Sequence, residues 1–188
     1  MGRAIKFTTK PAGGDRRHYI NENDVKVVLN RLPEAVYSGL REVHFNDVGF
    51  GTPRTRGAGY TGWSNTSIAI CALPPRFSFN KFCGRKTSPL VFGAKRGCQW
   101  SELAIRRYLL YRVLLHEIGH HQIVDPSAKS ERRKYAGETK AQEFADNWRK
   151  QLWSQHFDHP DPVHNPPSKE ELASLDNENA NKGVERTG

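Results

Sequence analysis

The spacing of apolar residues predicts one helix and two strand regions in the first half of the chain. Apolar side chains recur at the i, i+3, i+4, i+7 positions of one helical face, at Val25, Val28, Leu29 and Leu32. Asp24 is the expected N-cap of this helix, and Pro33 ends its pattern. The alternation in REVHFND predicts a strand, and residues 60–75 predict a strand pair that contains the run SIAIC.

The second half of the chain predicts two long helices. The first runs from its cap Ser101 to about Gln122, and between 108 and 118 only three side chains are neither aliphatic nor aromatic: Arg112, His116 and Glu117. The second spans roughly 137–155 and carries an apolar stripe at helical spacing, formed by Ala141, Phe144, Ala145, Trp148 and Leu152. Burying ionisable side chains is costly unless a partner binds them, so the polar residues of the first helix need an explanation.

The C-terminal region differs in composition from the rest. Residues 157–188 are rich in Pro, Asn and acidic side chains and have few apolar ones, so burial does not offset the entropy of ordering them. We therefore expect a single domain over 1–156 and an acidic, mostly disordered tail over 157–188. Seven acidic and three basic residues give the tail a net charge of −4, which leaves +13 on residues 1–156.

The basic body favours nucleic acid or acidic proteins as partners. Basic and aromatic residues are interleaved over the segment 76–96, a pattern that can line a groove for single-stranded nucleic acid. The alternative, which the sequence favours, is an excursion whose aromatic rings pack inward while its charges face water. Both interpretations stay open.

Composition also excludes several classes of protein. Three cysteines without a CxxC pair argue against a disulfide framework and against a cysteine zinc knuckle; they are Cys71, Cys83 and Cys98. No run approaches the length of a membrane span, so no membrane partner is expected, and the first residues lack the apolar core of a signal peptide. The expected compartment is the cytoplasm, and nothing in the pattern indicates an oligomeric state.

The motif HEIGH predicts a metal site on the first long helix. His116 and His120 differ by about 40° around the helix axis and one turn along it, so their imidazoles can converge on one point. Glu117 lies about 100° from His116, beside that point. Two nitrogen ligands with an adjacent carboxylate suit Zn²⁺ and its water. Gly119 lies on a further side of the helix, where the absence of a side chain admits a neighbouring backbone.

The apolar stripe of the second helix selects a third ligand. Measured from the centre of the stripe, Glu138 lies about 60° away, Asp146 about 140° and Glu143 about 200°. Glu138 therefore borders the buried face and is the expected ligand, whereas Glu143 points away from it. The alternative for Glu138 is a first-turn glutamate that only favours the helix dipole. Gln142, one turn after Glu138, is expected to hydrogen-bond a ligand.

HEIGH followed by 17 residues and a glutamate within ETKAQEFADNW resembles the gluzincin metallopeptidases, especially the compact minigluzincins and the ImmA/IrrE type. The resemblance implies an α+β, zincin-like fold, in which a small mixed sheet packs on an HExxH helix and on a second, glutamate-bearing helix. It implies that Glu117 is the general base and that Zn²⁺ is bound by His116, His120 and Glu138.

The resemblance also implies where a peptide binds. The strand SIAIC would form the edge against which an extended peptide lies, through Ser67, Ile68, Ala69 and Ile70. Tyr135 and His156 are the candidate donors to the oxyanion of the reaction. His121, about 100° from His120, is expected at the rim of the site or in a structural role.

The expected function is a zinc-dependent endopeptidase that hydrolyses peptide bonds with a metal-activated water and Glu117 as general base. Its substrate would be an intracellular protein, for example a regulator bound to nucleic acid. The alternative is a basic protein that binds nucleic acid or a partner, with a structural zinc in a catalytically degenerate zincin fold.

Overall fold

The computed structural model describes residues 4–47, 58–61, 66–75, 87–123 and 131–175. For residues 60, 61, 123 and 131–136 the description covers the backbone alone. The strands are β1 (Lys6–Thr9), β2 (Glu42–Asn46), β3 (Gly59–Thr61) and β4 (Ser67–Cys71). The α-helices are α1 (Glu22–Asn30), α2 (Glu102–Tyr108), α3 (Leu115–Ile123) and α4 (Glu131–Trp153), with a further helical segment over 169–175.

The four strands form one small mixed sheet. Its strand order is β1-β2-β4-β3, with β1, β2 and β4 parallel and β3 antiparallel at one edge. The expectation of a small mixed sheet packed on helices is confirmed at this level. β1 was not predicted, because its four residues, KFTT, carry too few apolar positions to show a period.

The strand SIAIC lies inside the sheet, so the prediction that it forms the edge is wrong. β4 pairs with β2 on one side and with β3 on the other. Ile68, Ala69 and Ile70 are buried, and Ser67 begins the strand at a half-buried position. A short, continuously apolar run is typical of a central strand, which is covered on both faces. Within the described part of the chain, the edge beside β4 is formed by β3.

A capping box begins α1, three residues before the predicted cap. The side chain of Asn21 accepts hydrogen bonds from the backbone N–H groups of Asn23 and Asp24, at 2.8 and 3.2 Å. Asp24 accepts one from the backbone N–H of Asn21, at 2.9 Å. Asp24 is therefore the third residue of the helix and not its N-cap. The predicted apolar face is confirmed: Val25, Val28, Leu29 and Leu32 are all buried.

The predicted helix after Ser101 is continuous, but it consists of two α-helices joined by a π-helical segment. Ser101 caps α2 by accepting the N–H of Ala104 at 3.2 Å. A π-helical segment, Leu109–Leu114, joins α2 to α3. π-helical turns are rare and are often found at functional sites. This segment contacts β4 and α1, and it ends one residue before the helix that carries HEIGH. No helix in the described ranges is long and apolar enough to cross a bilayer.

Residues 157–175, here called the strap, are packed on the body, so the prediction of a mostly disordered tail is wrong for this part. Val163 and His164 are buried. Buried Arg107 pairs with Glu171 at 2.6 Å and donates to the carbonyl of Asn165 at 2.9 Å. Hydrogen bonds to charged side chains thus hold this segment on the body although it has few apolar residues. The composition alone does not predict these bonds.

The strap also contacts the π-helical segment. Arg31 donates to the carbonyl of His164 at 2.9 Å and to the hydroxyl of Tyr111 at 3.1 Å. The Tyr111 hydroxyl lies 3.1 Å from Nδ1 of His164, and Arg31 stacks over the ring of Phe157, 4.1 Å from its centroid. The strap is therefore connected to the helix that leads into HEIGH.

We predict that Glu171→Ala lowers stability by about 2 kcal/mol, because it leaves the buried guanidinium of Arg107 without its carboxylate. Glu170→Ala changes an exposed neighbour on the same turn and is expected to have little effect. Chemical denaturation of the full chain measures both. Equal stabilities for the two variants would contradict a supporting role for the strap.

Stability should fall as the pH drops from about 6.5 to 4. Burial, with a contribution from nearby His159, lowers the pKa of His164 to about 4 from the usual 6.5. The unfolded chain then binds the proton more readily, so the stability from neutral His164 is complete above pH 6.5 and is lost as the pH approaches 4. Thermal unfolding of His164→Gln should show a flatter pH profile; an unchanged profile would refute this.

Candidate metal centre

The crossing of α3 and α4 places the residues of this site. A Cβ on Gly119 would lie 3.1 Å from Cα and 3.2 Å from the carbonyl oxygen of Ala141, so the two backbones touch there. The expectation that Gly119 admits a neighbouring backbone is confirmed. Glu138 lies three residues before Ala141, on the part of α4 that faces HEIGH.

Three side chains meet at this crossing. Nε2 of His116 lies 3.1 Å from Nε2 of His120, and the carboxylate of Glu138 lies 3.3 Å from the first and 3.4 Å from the second. One ligand atom from each residue falls within 4.8 Å of the others. The structure therefore brings together the three residues that the sequence analysis selected as ligands.

The spacing of these atoms suits zinc. Zinc lies 2.0–2.2 Å from nitrogen and oxygen ligands in a tetrahedral site, so neighbouring ligand atoms are about 3.3 Å apart. The two Nε2 atoms are 3.1 Å apart, which is close to that edge length, and each lies near a different oxygen of Glu138: Oε2 is 3.3 Å from His116 and Oε1 is 3.4 Å from His120. Two imidazoles and one carboxylate also match the donor set of a catalytic zinc site, which keeps a fourth position for water.

Side chains of the cluster shift one another's protonation equilibria. Hydrogen bonds to His116 and His120 hold the pKa of Glu138 well below its usual range. Burial lowers the pKa of His120, but the hydrogen bond to Glu138 and the charges of Glu117 and Glu138 outweigh it, and the net shift is upward. The side chain of Glu138 is 61% exposed, against 15% for His116, so the cluster opens to solvent on the α4 side.

Glu117 lies beside the three ligands and not among them. It is buried, and the edge strand β3 packs against it: a Cβ on Gly59 would lie 3.4 Å from its Cγ and 2.6 Å from a methyl of Val113. Burial and then the charge of Glu117 raise the pKa of Cys71, at the end of β4, to about 11. The side chain of Glu117 thus packs against the sheet, and its charge acts on His120.

Two neighbours of the site differ from the prediction. Gln142 donates to Asp146 at 2.9 Å and not to a ligand, since Asp146 lies one turn further along the same helix. Arg112 was not predicted: its Nη1 lies 3.1 Å from Nδ1 of His116. Its position one turn before His116 was the signal in the sequence that could have identified it.

Other candidates lie apart from the cluster. Glu143 is exposed, as its position opposite the apolar stripe predicts, and His156 is exposed beyond the end of α4. The side chain of Tyr135 lies outside the described residues. So does the segment 76–86, the larger part of the proposed nucleic-acid groove; in the part that follows, Phe92 is buried in the core.

Comparison of the chain with protein-family models, with curated proteins and with solved structures finds no match.

We predict that Gly119→Val separates α3 from α4 and disperses the three ligands. Overpacking at this contact should cost about 1–3 kcal/mol and reduce bound zinc at least tenfold. Gly137→Ala is the control, because no atom of the described residues lies within 4 Å of a Cβ there. Elemental analysis and thermal unfolding measure the two effects. Retention of full zinc content in Gly119→Val would show that the crossing does not position the site.

Proposed function

We propose that the chain is a zinc-dependent metallopeptidase of the gluzincin type. The observation that carries this proposal is the convergence of His116, His120 and Glu138, which each offer one ligand atom within 4.8 Å of the others. A buried carboxylate, Glu117, adjoins them. Structural zinc sites are closed by four protein ligands, whereas the three ligands found among the described residues, with an opening to solvent, favour a catalytic site.

The residues have distinct roles in this proposal. His116, His120 and Glu138 would hold the zinc ion. Zinc held there would supply Lewis-acid chemistry, lowering the pKa of a water molecule and polarising a peptide carbonyl. Glu117 would act as the general base, accepting a proton from the attacking water and donating it to the leaving amine.

The edge strand β3 supports a peptide as the substrate. Among the described residues β3 pairs only with β4, so its other edge can accept an extended peptide by strand addition. Gly59 of β3 packs against Glu117. A peptide added along β3 would therefore pass beside the general base, a position that β4 cannot provide because both of its edges are paired.

A second candidate is a binding protein with a structural zinc. The net charge of +13 on residues 1–156 favours it, since such a field attracts nucleic acid. In that case Glu117 would have no chemical role. The two candidates therefore differ in the effect of replacing this one carboxylate.

The first test is metal content and peptidase activity of the purified full chain. We expect about one zinc per chain, loss of that zinc in His116→Ala, and retention of it in Glu117→Gln. Glu117→Gln should lower hydrolysis of quenched fluorescent peptides by at least about 100-fold. Glu143→Gln, an exposed glutamate on α4, is the control.

Each outcome has a separate meaning. Zinc far below one per chain, with no change in His116→Ala, would refute the metal site. Bound zinc with unchanged peptidase activity in Glu117→Gln would refute the role of the general base. Bound zinc without turnover of any peptide, together with retention on single-stranded nucleic acid, would favour the binding protein.

A further inference from the structure

The π-helical segment Leu109–Leu114 changes the direction in which the HEIGH helix faces. In a π turn each N–H bonds to the carbonyl about five residues earlier, so the turn takes up about one residue more than an α turn. One residue corresponds to about 100° of rotation around the axis. The side chains of α3 are therefore rotated by about 100° relative to α2, compared with an uninterrupted α-helix.

This rotation separates the contacts of α2 from those of α3. In an uninterrupted α-helix, His116 would lie about 80° from Arg106 around the axis; with one extra residue it lies about 180° away. Arg106 contacts Asp24 of α1 and Asp161 of the strap. His116 contacts Glu138 of α4. The π winding thus lets α2 face α1 and the strap while the ligands on α3 face α4.

Tyr111, at the centre of the segment, is held by three other parts of the chain. Its side chain is fully buried. Its hydroxyl accepts from Nη1 of Arg31 at 3.1 Å, and it lies 3.1 Å from Nδ1 and 3.3 Å from the carbonyl oxygen of His164. Its ring centroid lies 4.8 Å from that of Trp153, at the end of α4. The residue after α1, the strap and α4 therefore all contact this one side chain.

The hydrogen bonds of Tyr111 are the contacts that can hold the π turn. Because π turns are rare, contacts outside the helix must stabilise one. The apolar packing of the segment has no preferred direction, so it tolerates rotation. A hydroxyl that is bonded on two sides does not, since its hydrogen bonds weaken steeply when their angles change. The buried aliphatic residues of the segment are Leu109, Leu110, Val113 and Leu114.

We propose that Tyr111 is a positioning residue, whose contacts with the strap keep the segment in π winding and so direct His116 and His120 at Glu138. This proposal rests on the proposed metal site and adds a way in which it is regulated. Release of the strap frees the hydroxyl of Tyr111, the segment rewinds as an α-helix, and the two histidines rotate away from Glu138.

The first test is zinc affinity of the full chain, measured by competition with a fluorescent chelator at a temperature where every variant is folded. Tyr111→Leu removes the hydroxyl and the ring, and it should weaken zinc binding at least about tenfold. Tyr108→Leu is the matched control, because Tyr108 is buried in α2 and its ring contacts Phe92 and Trp100 in the core. It should lower stability and leave zinc affinity unchanged.

The hydroxyl is tested separately. Tyr111→Phe keeps the ring, and it should weaken zinc binding by a smaller factor, about threefold or more. Tyr19→Phe is its control, because the buried Tyr19 donates its hydroxyl to the carbonyl of Pro74 at 3.4 Å, away from the segment. This pair carries the same comparison if Tyr111→Leu does not fold.

A second measurement observes the winding directly. Nuclear magnetic resonance couplings across hydrogen bonds identify the carbonyl to which each backbone N–H of the segment is bonded. The unchanged chain and Tyr108→Leu should show bonds about five residues apart, and Tyr111→Leu should show bonds about four residues apart. A role for Tyr111 in core packing alone would leave the wider spacing in place.

The outcomes separate this proposal from the proposed function. Equal zinc affinity in the unchanged chain and both Tyr111 variants overturns the role of Tyr111 and leaves the metal site standing. Equal weakening in the Tyr108 and Tyr19 controls also overturns it, because lost packing would then explain the effect. Retention of the π spacing in Tyr111→Leu overturns it as well. Absence of zinc binding in the unchanged chain overturns both the metal site and the role of Tyr111.

Discussion

The close crossing of α3 and α4 is the constraint on which the candidate site depends. Because Gly119 has no side chain, the backbone of Ala141 can approach within contact distance, and this approach fixes the position of Glu138. The two histidines share a helix and would converge wherever that helix lay. The carboxylate comes from a second helix, and it meets them only because the helices touch.

The strap stabilises the helix that carries the motif, and it does so with polar contacts. Arg106, Arg107 and Arg31 each donate to strap carboxylates or carbonyls. Tyr111 joins the strap to the π-helical segment directly before HEIGH. The acidic composition of the segment is thus matched by arginines on the body. The packed part of the chain therefore extends past residue 156, where apolar residues become scarce, into the strap.

The polar residues of the HEIGH helix have partners within the protein. His116, His120 and Glu138 contact one another, and Arg112 contacts the outer nitrogen of His116. Such contacts satisfy groups that would otherwise be costly to place at a partly buried position. The first three of these side chains are the ones that would hold a metal ion in the proposed function.

The sequence alone determined the features that follow from helix geometry. The spacing of four residues set His116 and His120 on one face, the apolar stripe of α4 placed Glu138 nearer to the core than Glu143, and Gly119 marked the crossing. These are local periodicities, which tertiary contacts preserve. The tertiary structure decided the rest: that β3 and not SIAIC forms the edge, that the strap is ordered, and that Arg112 contacts His116 while Gln142 turns to Asp146. Strand order and the strap depend on pairs far apart in sequence, such as Arg107 and Glu171, and composition does not identify such partners. The contacts of Arg112 and Gln142 are local, but their choice among near neighbours depends on how the two helices pack.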